Sequence, residues 1–170
     1  MRRFIPRHKA LCCIVFVVIL GTGFLLWPLS IVGRLPVAGG AAVIWNEVKW
    51  PNGDDTDVTM APVSYSLAAA SQEALALEGI LREYSCHRSL KTLWGDGSLS
   101  GNEGDGWLTI YADGGARYLI SGGAGEIILN GRVYRVDYFG NQRSREMIAQ
   151  IRRLLADCVP DEAKPQSEIT

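Results

Sequence analysis

The sequence predicts an α+β protein with an N-terminal transmembrane helix and one exported domain. Within that domain we expect an antiparallel β-meander of about four to six strands, with two helices packed on one sheet face. Three observations predict this class: an uncharged apolar run at residues 10–32, β-rich stretches separated by glycine turns between residues 88 and 139, and helical periodicity on either side of them.

The apolar run is long enough to cross a membrane. Its 23 residues would form a helix of ~34 Å, against a hydrocarbon core of ~30 Å. Four basic residues precede the run, whereas only Arg34 and Lys49 follow it before residue 82. The positive-inside bias therefore predicts a single pass through the inner (cell) membrane, with a cytoplasmic N-terminus and a periplasmic C-terminal domain.

A cleaved signal peptide is the competing interpretation, with the small residues Gly40-Ala41-Ala42 as its cleavage site. Signal peptides usually have an apolar region of only ~7–15 residues, which favours the uncleaved anchor. The predicted divisions are a cytoplasmic tail (1–9), an anchor (10–32), a linker (33–41), the exported domain (42–158) and a polar tail (159–170).

The exported part is acidic. All 18 acidic residues but only 13 of the 17 basic ones follow the apolar run, so its formal charge is −5. Because nucleic-acid binding depends on neutralising phosphates, this charge argues against a nucleic-acid partner.

Cys86 and Cys158 are the only cysteines beyond the apolar run. In an oxidising compartment an even pair predicts a disulfide, which would join the two helices of the domain. On the chain-entropy view such a bridge would stabilise the fold by roughly 4 kcal/mol. A catalytic thiol at Cys86 beside His87 is the weaker alternative, because neighbours on an extended segment point to opposite faces.

Several stretches have strand-like composition. The strongest local signal is Asn130-Gly131, which predicts a two-residue type I′ turn that pairs Leu129 with Arg132 and Ile127 with Tyr134. The predicted strands are residues 42–50, 89–94, 106–112, 116–121, 126–130 and 132–139.

Two segments have helical periodicity. Ser71 is an N-cap candidate, and the final helix has Asn141 or Ser144 as its cap. The apolar stripes are Ala74, Leu77, Leu81 and Tyr84 in the first helix, and Met147, Ile151, Leu154 and Cys158 in the second.

Motifs for cofactors, metals and catalysis fail on inspection. The glycines at 122–125 lack dinucleotide-loop spacing. The loop that begins at Asp96 resembles a calcium loop but has Trp107 where the bidentate Glu belongs. His87 is the only histidine beyond the apolar run, which excludes a metal site built from several histidines. We therefore expect no catalytic, cofactor-binding or metal site. An envelope hydrolase that uses His87 is the weakest functional alternative.

The leading functional expectation is a non-enzymatic domain that binds another envelope protein, for example an immunity-type inhibitor of an envelope-targeted toxin. The alternative is an accessory subunit of an envelope secretion, division or transport complex. The candidate partner-binding residues are charged or aromatic: Asp96, Asp105, Trp107, Arg143, Arg145, Arg152 and Arg153. Neither the partner's identity nor the oligomeric state follows from the sequence.

Overall fold

A computed structural model describes residues 7–49, 59–95, 97–99, 107–112, 117–121 and 125–163. Its helices are α1 (Arg7–Leu26), α2 (Gln72–Glu83), α3 (Leu90–Trp94) and α4 (Gln142–Ala156), with a 3-10 turn at Asp161–Ala163. Its strands are β1 (Leu29–Ser30), β2 (Ala41–Lys49), β3 (Thr59–Leu67), β4 (Ser85–Arg88), β5 (Trp107–Ala112), β6 (Arg117–Ser121), β7 (Glu126–Leu129) and β8 (Arg132–Arg135).

The strands form one antiparallel sheet in the order β1-β4-β8-β7-β6-β5-β2-β3. The mixed α+β class and the antiparallel meander from β5 to β8 are therefore confirmed. The Asn130-Gly131 turn is also confirmed, because both residues have positive φ angles (51° and 75°) and the register pairs Leu129 with Arg132 and Ile127 with Tyr134.

Among the described residues the sheet contains eight strands, more than the four to six expected. The strand β3 (Thr59–Leu67) was not among the expected strands, and it contains Pro62. β3 is an edge strand, where a proline need not remove a ladder hydrogen bond. Asp161 covers part of this edge, since its carboxylate accepts hydrogen bonds from the Ser66 N–H and hydroxyl at 2.9 Å each.

The expected strand at residues 89–94 was wrong. Ser89 instead begins α3 with a reciprocal capping box, in which Ser89 and Thr92 each bond to the other's backbone N–H. The Thr92 hydroxyl also donates to the Val133 carbonyl and so joins α3 to β8.

The core lies between the sheet and the pair α2 and α4. Cys86, Ile127 and Tyr134 point toward the two helices and share one core with them. Because successive strand residues alternate, His87 and Arg135 project from the opposite sheet face. We call these the helix face and the open face.

The expected Cys86–Cys158 disulfide was wrong, since neither sulfur is in a disulfide. The helices α2 and α4 run antiparallel: Arg143 at the start of α4 lies over the Tyr84 ring at the end of α2, 5.8 Å away. Cys158 follows the end of α4 and lines a groove with Ser71, the N-cap of α2. Cys86 follows the opposite end of α2, and a 12-residue helix is ~18 Å long, whereas bridged cysteines need Cα atoms within ~7 Å.

Thiol labelling tests this correction. Burial raises the pKa of Cys86 to about 11, so at neutral pH this thiol is un-ionised as well as inaccessible, and thiolate is the reactive form. We expect iodoacetamide to modify Cys158 in the native protein and to modify Cys86 only after denaturation, without any reductant. Mass spectrometry of peptides measures both sites, and a peptide pair that needs reduction before labelling would contradict the expectation.

Segment 29–40 contributes to the folded domain, beyond the expected boundaries at residues 32 and 41. The helix α1 ends at Leu26, β1 pairs with β4, and the side chains of Ile31, Leu35 and Val37 are fully buried. The segment is also bonded to α2 and its N-terminal turn, because the Ala38 N–H donates to Glu78 at 3.1 Å and the Ala38 carbonyl accepts from Ala70 at 2.8 Å. The apolar run therefore supplies two structures, an apolar helix that is largely exposed and the short strand β1 at the edge of the sheet.

Candidate functional site

The apolar helix α1 has almost no contact with the domain along most of its length. A stretch of 18 residues, Lys9–Leu26, has the length and hydropathy of a membrane span, and none of that stretch is buried. This is compatible with either a membrane anchor or a signal sequence. A Cβ atom added at Gly21 or at Gly23 would meet no neighbouring atom within 4 Å.

The C-terminal turn of α1 is held by two residues of the domain. Arg88 places its guanidinium 4.3 Å from the centre of the Phe24 ring and donates to the Phe24 carbonyl at 3.4 Å. The Tyr138 hydroxyl donates to the Leu26 carbonyl at 3.1 Å. These carbonyls have no partner within a helix, so both side chains stabilise the place where α1 meets the domain. We call this pair of contacts the α1 clamp.

A buried imidazole lies behind the α1 clamp. His87 is 5 % exposed, and its ring stacks on the Tyr138 ring with 4.3 Å between centroids. The pKa of His87 is lowered, mainly by burial and to a smaller extent by the positive charge of Arg135. The negative charge of Asp137 acts in the opposite direction. A general base must come within hydrogen-bond reach of its substrate, so a hydrolase using His87 would first have to displace Tyr138.

The lowered pKa of His87 predicts a pH-dependent stability. Above the ordinary histidine pKa of about 6.5 the ring is neutral in both states and the domain is at full stability. As the pH falls below that value the unfolded chain binds the proton first, so the free energy of unfolding decreases, and it levels off below the folded-state pKa. Urea unfolding between about pH 5 and pH 8 measures this.

The control for the pH dependence is His87→Phe, which keeps a ring against Tyr138 and cannot titrate. We expect the free energy of unfolding of this variant to change less with pH than that of the parent chain. Equal slopes in the two proteins would contradict the assignment to His87.

Apart from α1 and the α1 clamp, the candidate functional surface is the arginine-rich outer side of α4. This helix carries four arginines and one glutamate, within the part of the chain that follows the apolar run, whose formal charge is negative. Arg145 and Arg153 are exposed. Arg143 lies over Tyr84 at 5.8 Å, on the α2 side, and Arg152 lies over Trp45 at 4.6 Å, on the β2 side. The two flanking guanidinium groups are thus held in place by aromatic rings.

A shallow groove lies beside Arg152. It has a volume of about 250 Å³ and is lined by Trp45, Val63, Tyr65, Arg152, Leu155 and Ala156. The Trp45 Nε1 atom is buried and has no hydrogen-bond partner among the residues that the structure describes. The groove therefore joins an apolar floor to a fixed positive charge.

The structure separates the residues that the sequence suggested for partner binding. The four arginines lie on α4, on the helix face. Trp107 lies in β5, where it alternates with the core residue Leu108 and so projects from the open face, half-buried. Asp96 and Asp105, like the acidic stretch 54–57, are outside the described residues.

Sequence reasoning missed the residue that positions α4. Asn141 occupies the N-cap position but makes no side-chain cap. The buried Asp137 carboxylate instead accepts from the backbone N–H groups of Arg143 (2.8 Å) and Ser144 (3.0 Å). A carboxylate at a helix N-terminus also interacts favourably with the helix dipole. An aspartate four residues before the expected cap was the available signal.

Comparisons with protein families, with curated proteins and with solved structures give no match for this chain. Within the residues that the structure describes, no group of three or more His, Cys, Asp or Glu side chains could hold a metal ion.

Proposed function

We propose that this protein is a single-pass membrane-anchored domain that binds an acidic envelope protein through the outer side of α4. The observation that carries the proposal is the arrangement of α4. Its arginines lie on the helix face, whereas α1 attaches at the β1–β4 end of the sheet through Arg88 and through Tyr138, which stacks on His87 of the open face. The C-terminal part of α4 lies at the other end of the strand order, because Arg152 lies over Trp45 of β2. This part of the basic surface is therefore far from the attachment of α1 and is accessible to a partner in the exported compartment.

Anchoring rather than signal cleavage is supported by the burial of segment 29–40. Cleavage at Gly40-Ala41-Ala42 would remove β1 and the three fully buried side chains of Ile31, Leu35 and Val37. A retained α1 keeps these residues in place. The orientation with a cytoplasmic N-terminus is part of the proposal and rests on the basic residues before α1.

The anchor is tested by intact-mass measurement and alkaline carbonate extraction of membranes from expressing cells. We expect the full-length mass and complete retention in the membrane fraction. A mature chain that begins at or after residue 24, or one that carbonate releases, would show that α1 is a cleaved signal and would overturn the anchor.

Arginine-rich surfaces bind acidic partners through charge-assisted contacts whose on-rate depends on ionic strength. The flanking residues Arg143 and Arg152 are already ordered over aromatic rings, so less side-chain entropy is lost when they bind. The groove beside Arg152 could accept an apolar side chain of the same partner. These features support protein recognition by the domain, in line with the expected binder of another envelope protein, for example an immunity-type inhibitor.

Photo-crosslinking tests the α4 surface. A benzophenone amino acid replaces Ala149, which is exposed on α4 between Arg145 and Arg153. We expect one stoichiometric adduct in envelope membranes, lost in the double variant Arg145→Glu/Arg153→Glu. The matched control is Arg132→Glu, an exposed arginine on β8, which should leave the adduct unchanged. An adduct that survives the double charge reversal would overturn the proposal.

An accessory subunit of a membrane complex is the second candidate, favoured by the open space around Gly21 and Gly23. Small residues allow membrane helices to approach closely. Replacing residues 10–23 with an unrelated apolar sequence distinguishes the candidates, because an α4-dependent binder should keep its adduct and a subunit held by α1 should lose its complex.

A further inference from the structure

The short helix α3 carries an apolar surface that the domain does not cover. Leu90, Leu93 and Trp94 are 62 %, 44 % and 78 % exposed. These positions recur at three and four residues, so they lie on one side of the helix. Thr92, on the other side, is buried and bonded to β8. The apolar side of α3 therefore points away from the sheet.

The start of α3 lies close to the end of α1. The helix α3 begins two residues after Arg88, the residue whose guanidinium contacts the Phe24 ring. It is also bonded to the open face, because Lys91 forms an ion pair with Glu126 at 3.3 Å, and Glu126 pairs in register with Arg135 of that face. The Tyr138 ring, which reaches the Leu26 carbonyl, stacks on the same face.

Other exposed aromatic residues surround the same junction. Trp27, directly after α1, is 66 % exposed, and Phe139, beside Tyr138, is 93 % exposed. Large exposed apolar patches on soluble surfaces mark interaction sites. Tryptophan and tyrosine next to the end of a spanning helix are typical of the headgroup layer of a bilayer.

We propose that Leu90, Leu93 and Trp94 of α3 insert into the headgroup–acyl boundary of the same bilayer that holds α1. The inference rests on the proposed anchoring of α1. The occupant is lipid because α1, once inserted, brings the bilayer surface to Phe24 and Leu26, and Arg88 joins that level to the start of α3. Short amphipathic helices bury their apolar side in this boundary and keep cationic groups near the headgroups. Arg88, which contacts Phe24 at the end of α1, is such a cationic group.

With two contacts on the bilayer, α1 and α3, the domain has a defined orientation. The open face near β4 and β8 is turned toward the lipid, and α2 and α4 form the layer farther from it. The arginines of α4 are thereby presented to the exported compartment.

Tryptophan quenching in proteoliposomes tests the insertion. The full chain is reconstituted in phosphatidylethanolamine and phosphatidylglycerol vesicles that contain a lipid brominated near the headgroup end of one acyl chain. If Trp94 lies in the bilayer, the variant Trp94→Phe has a smaller quenched fraction than the parent chain. If Trp94 lies in water, removing it leaves a larger quenched fraction, and the proposal is overturned.

Two control variants show how the quenched fraction changes when a tryptophan near the lipid or a tryptophan far from it is removed. Trp27→Phe should also lower the quenched fraction, because Trp27 adjoins α1. Trp45→Phe should raise it, because Trp45 is buried under α4 on the helix face. A second variant, Leu90→Glu, should reduce the contribution of Trp94 by placing a carboxylate in the apolar side, and an unchanged contribution would count against insertion.

The same vesicles separate this inference from the anchoring on which it rests. Carbonate release of the chain would overturn both. Retention of the chain with Trp94 in water would overturn the insertion of α3 alone.

Discussion

Leu35→Ala is expected to destabilise the domain by about 2–5 kcal/mol, the usual cost of truncating a fully buried leucine. Leu35 has no exposed surface although it lies in a segment that resembles a linker. Adding Ile31→Ala, at a second fully buried position, should bring the total loss close to the ~5–15 kcal/mol that stabilises a typical domain. We therefore expect the double variant to be largely unfolded at 37 °C.

Urea unfolding in detergent micelles and the rate of tryptic cleavage measure the effect. The matched control is Leu75→Ala, the same substitution at a position of α2 that is 53 % exposed. If the two variants have equal free energies of unfolding, segment 29–40 is not part of the core. Cleavage at residue 40 would then leave the core intact.

Asp137→Ala is expected to cost about 3 kcal/mol, because it leaves two backbone N–H groups without their charged acceptor. Both donors are at the start of α4, and Asp137 is buried. Loss of this cap should fray the first turn of α4 and release Arg143 from Tyr84. The change is therefore expected to weaken the α4 surface as well as the fold.

Two further variants test whether loss of the helix cap causes the destabilisation of Asp137→Ala. Asp137→Asn keeps one carbonyl acceptor and should lose about half as much free energy as the alanine variant. Asp157→Ala removes an exposed aspartate at the other end of α4 and should change stability by no more than about 0.5 kcal/mol. Chemical denaturation measures all three, and equal losses for Asp137→Asn and Asp137→Ala would contradict the capping role.

Local rules predicted the elements whose determinants are local. The Asn130-Gly131 turn needs two positive φ angles, and asparagine with glycine supplies them. Ser71 caps α2 as expected, since its side chain accepts from the Ala74 N–H. The strand prediction for residues 89–94 was wrong because it relied on β-rich composition. The Ser89–Thr92 capping pair begins a helix there instead.

The long-range arrangement was less predictable. Both cysteines follow helices, as expected, but the disulfide also required those ends to meet, and the antiparallel packing of α2 and α4 separates them. The helical pattern placed the arginines off the apolar stripe of α4. It could not show that Tyr84 and Trp45 would lie beneath two of them, because those contacts depend on how distant strands and helices pair.

The α1 clamp has a mechanical consequence. A domain tied to its anchor by a flexible linker of thirty residues would range over roughly 30 Å. Here β1 begins three residues after α1 ends, and Arg88 and Tyr138 hold that short connection. If α1 is a membrane anchor, as proposed, this connection holds the domain at one height above the lipid and transmits a tilt or rotation of α1 to the sheet. A partner of the proposed α4 surface would then have to present its binding surface at that height.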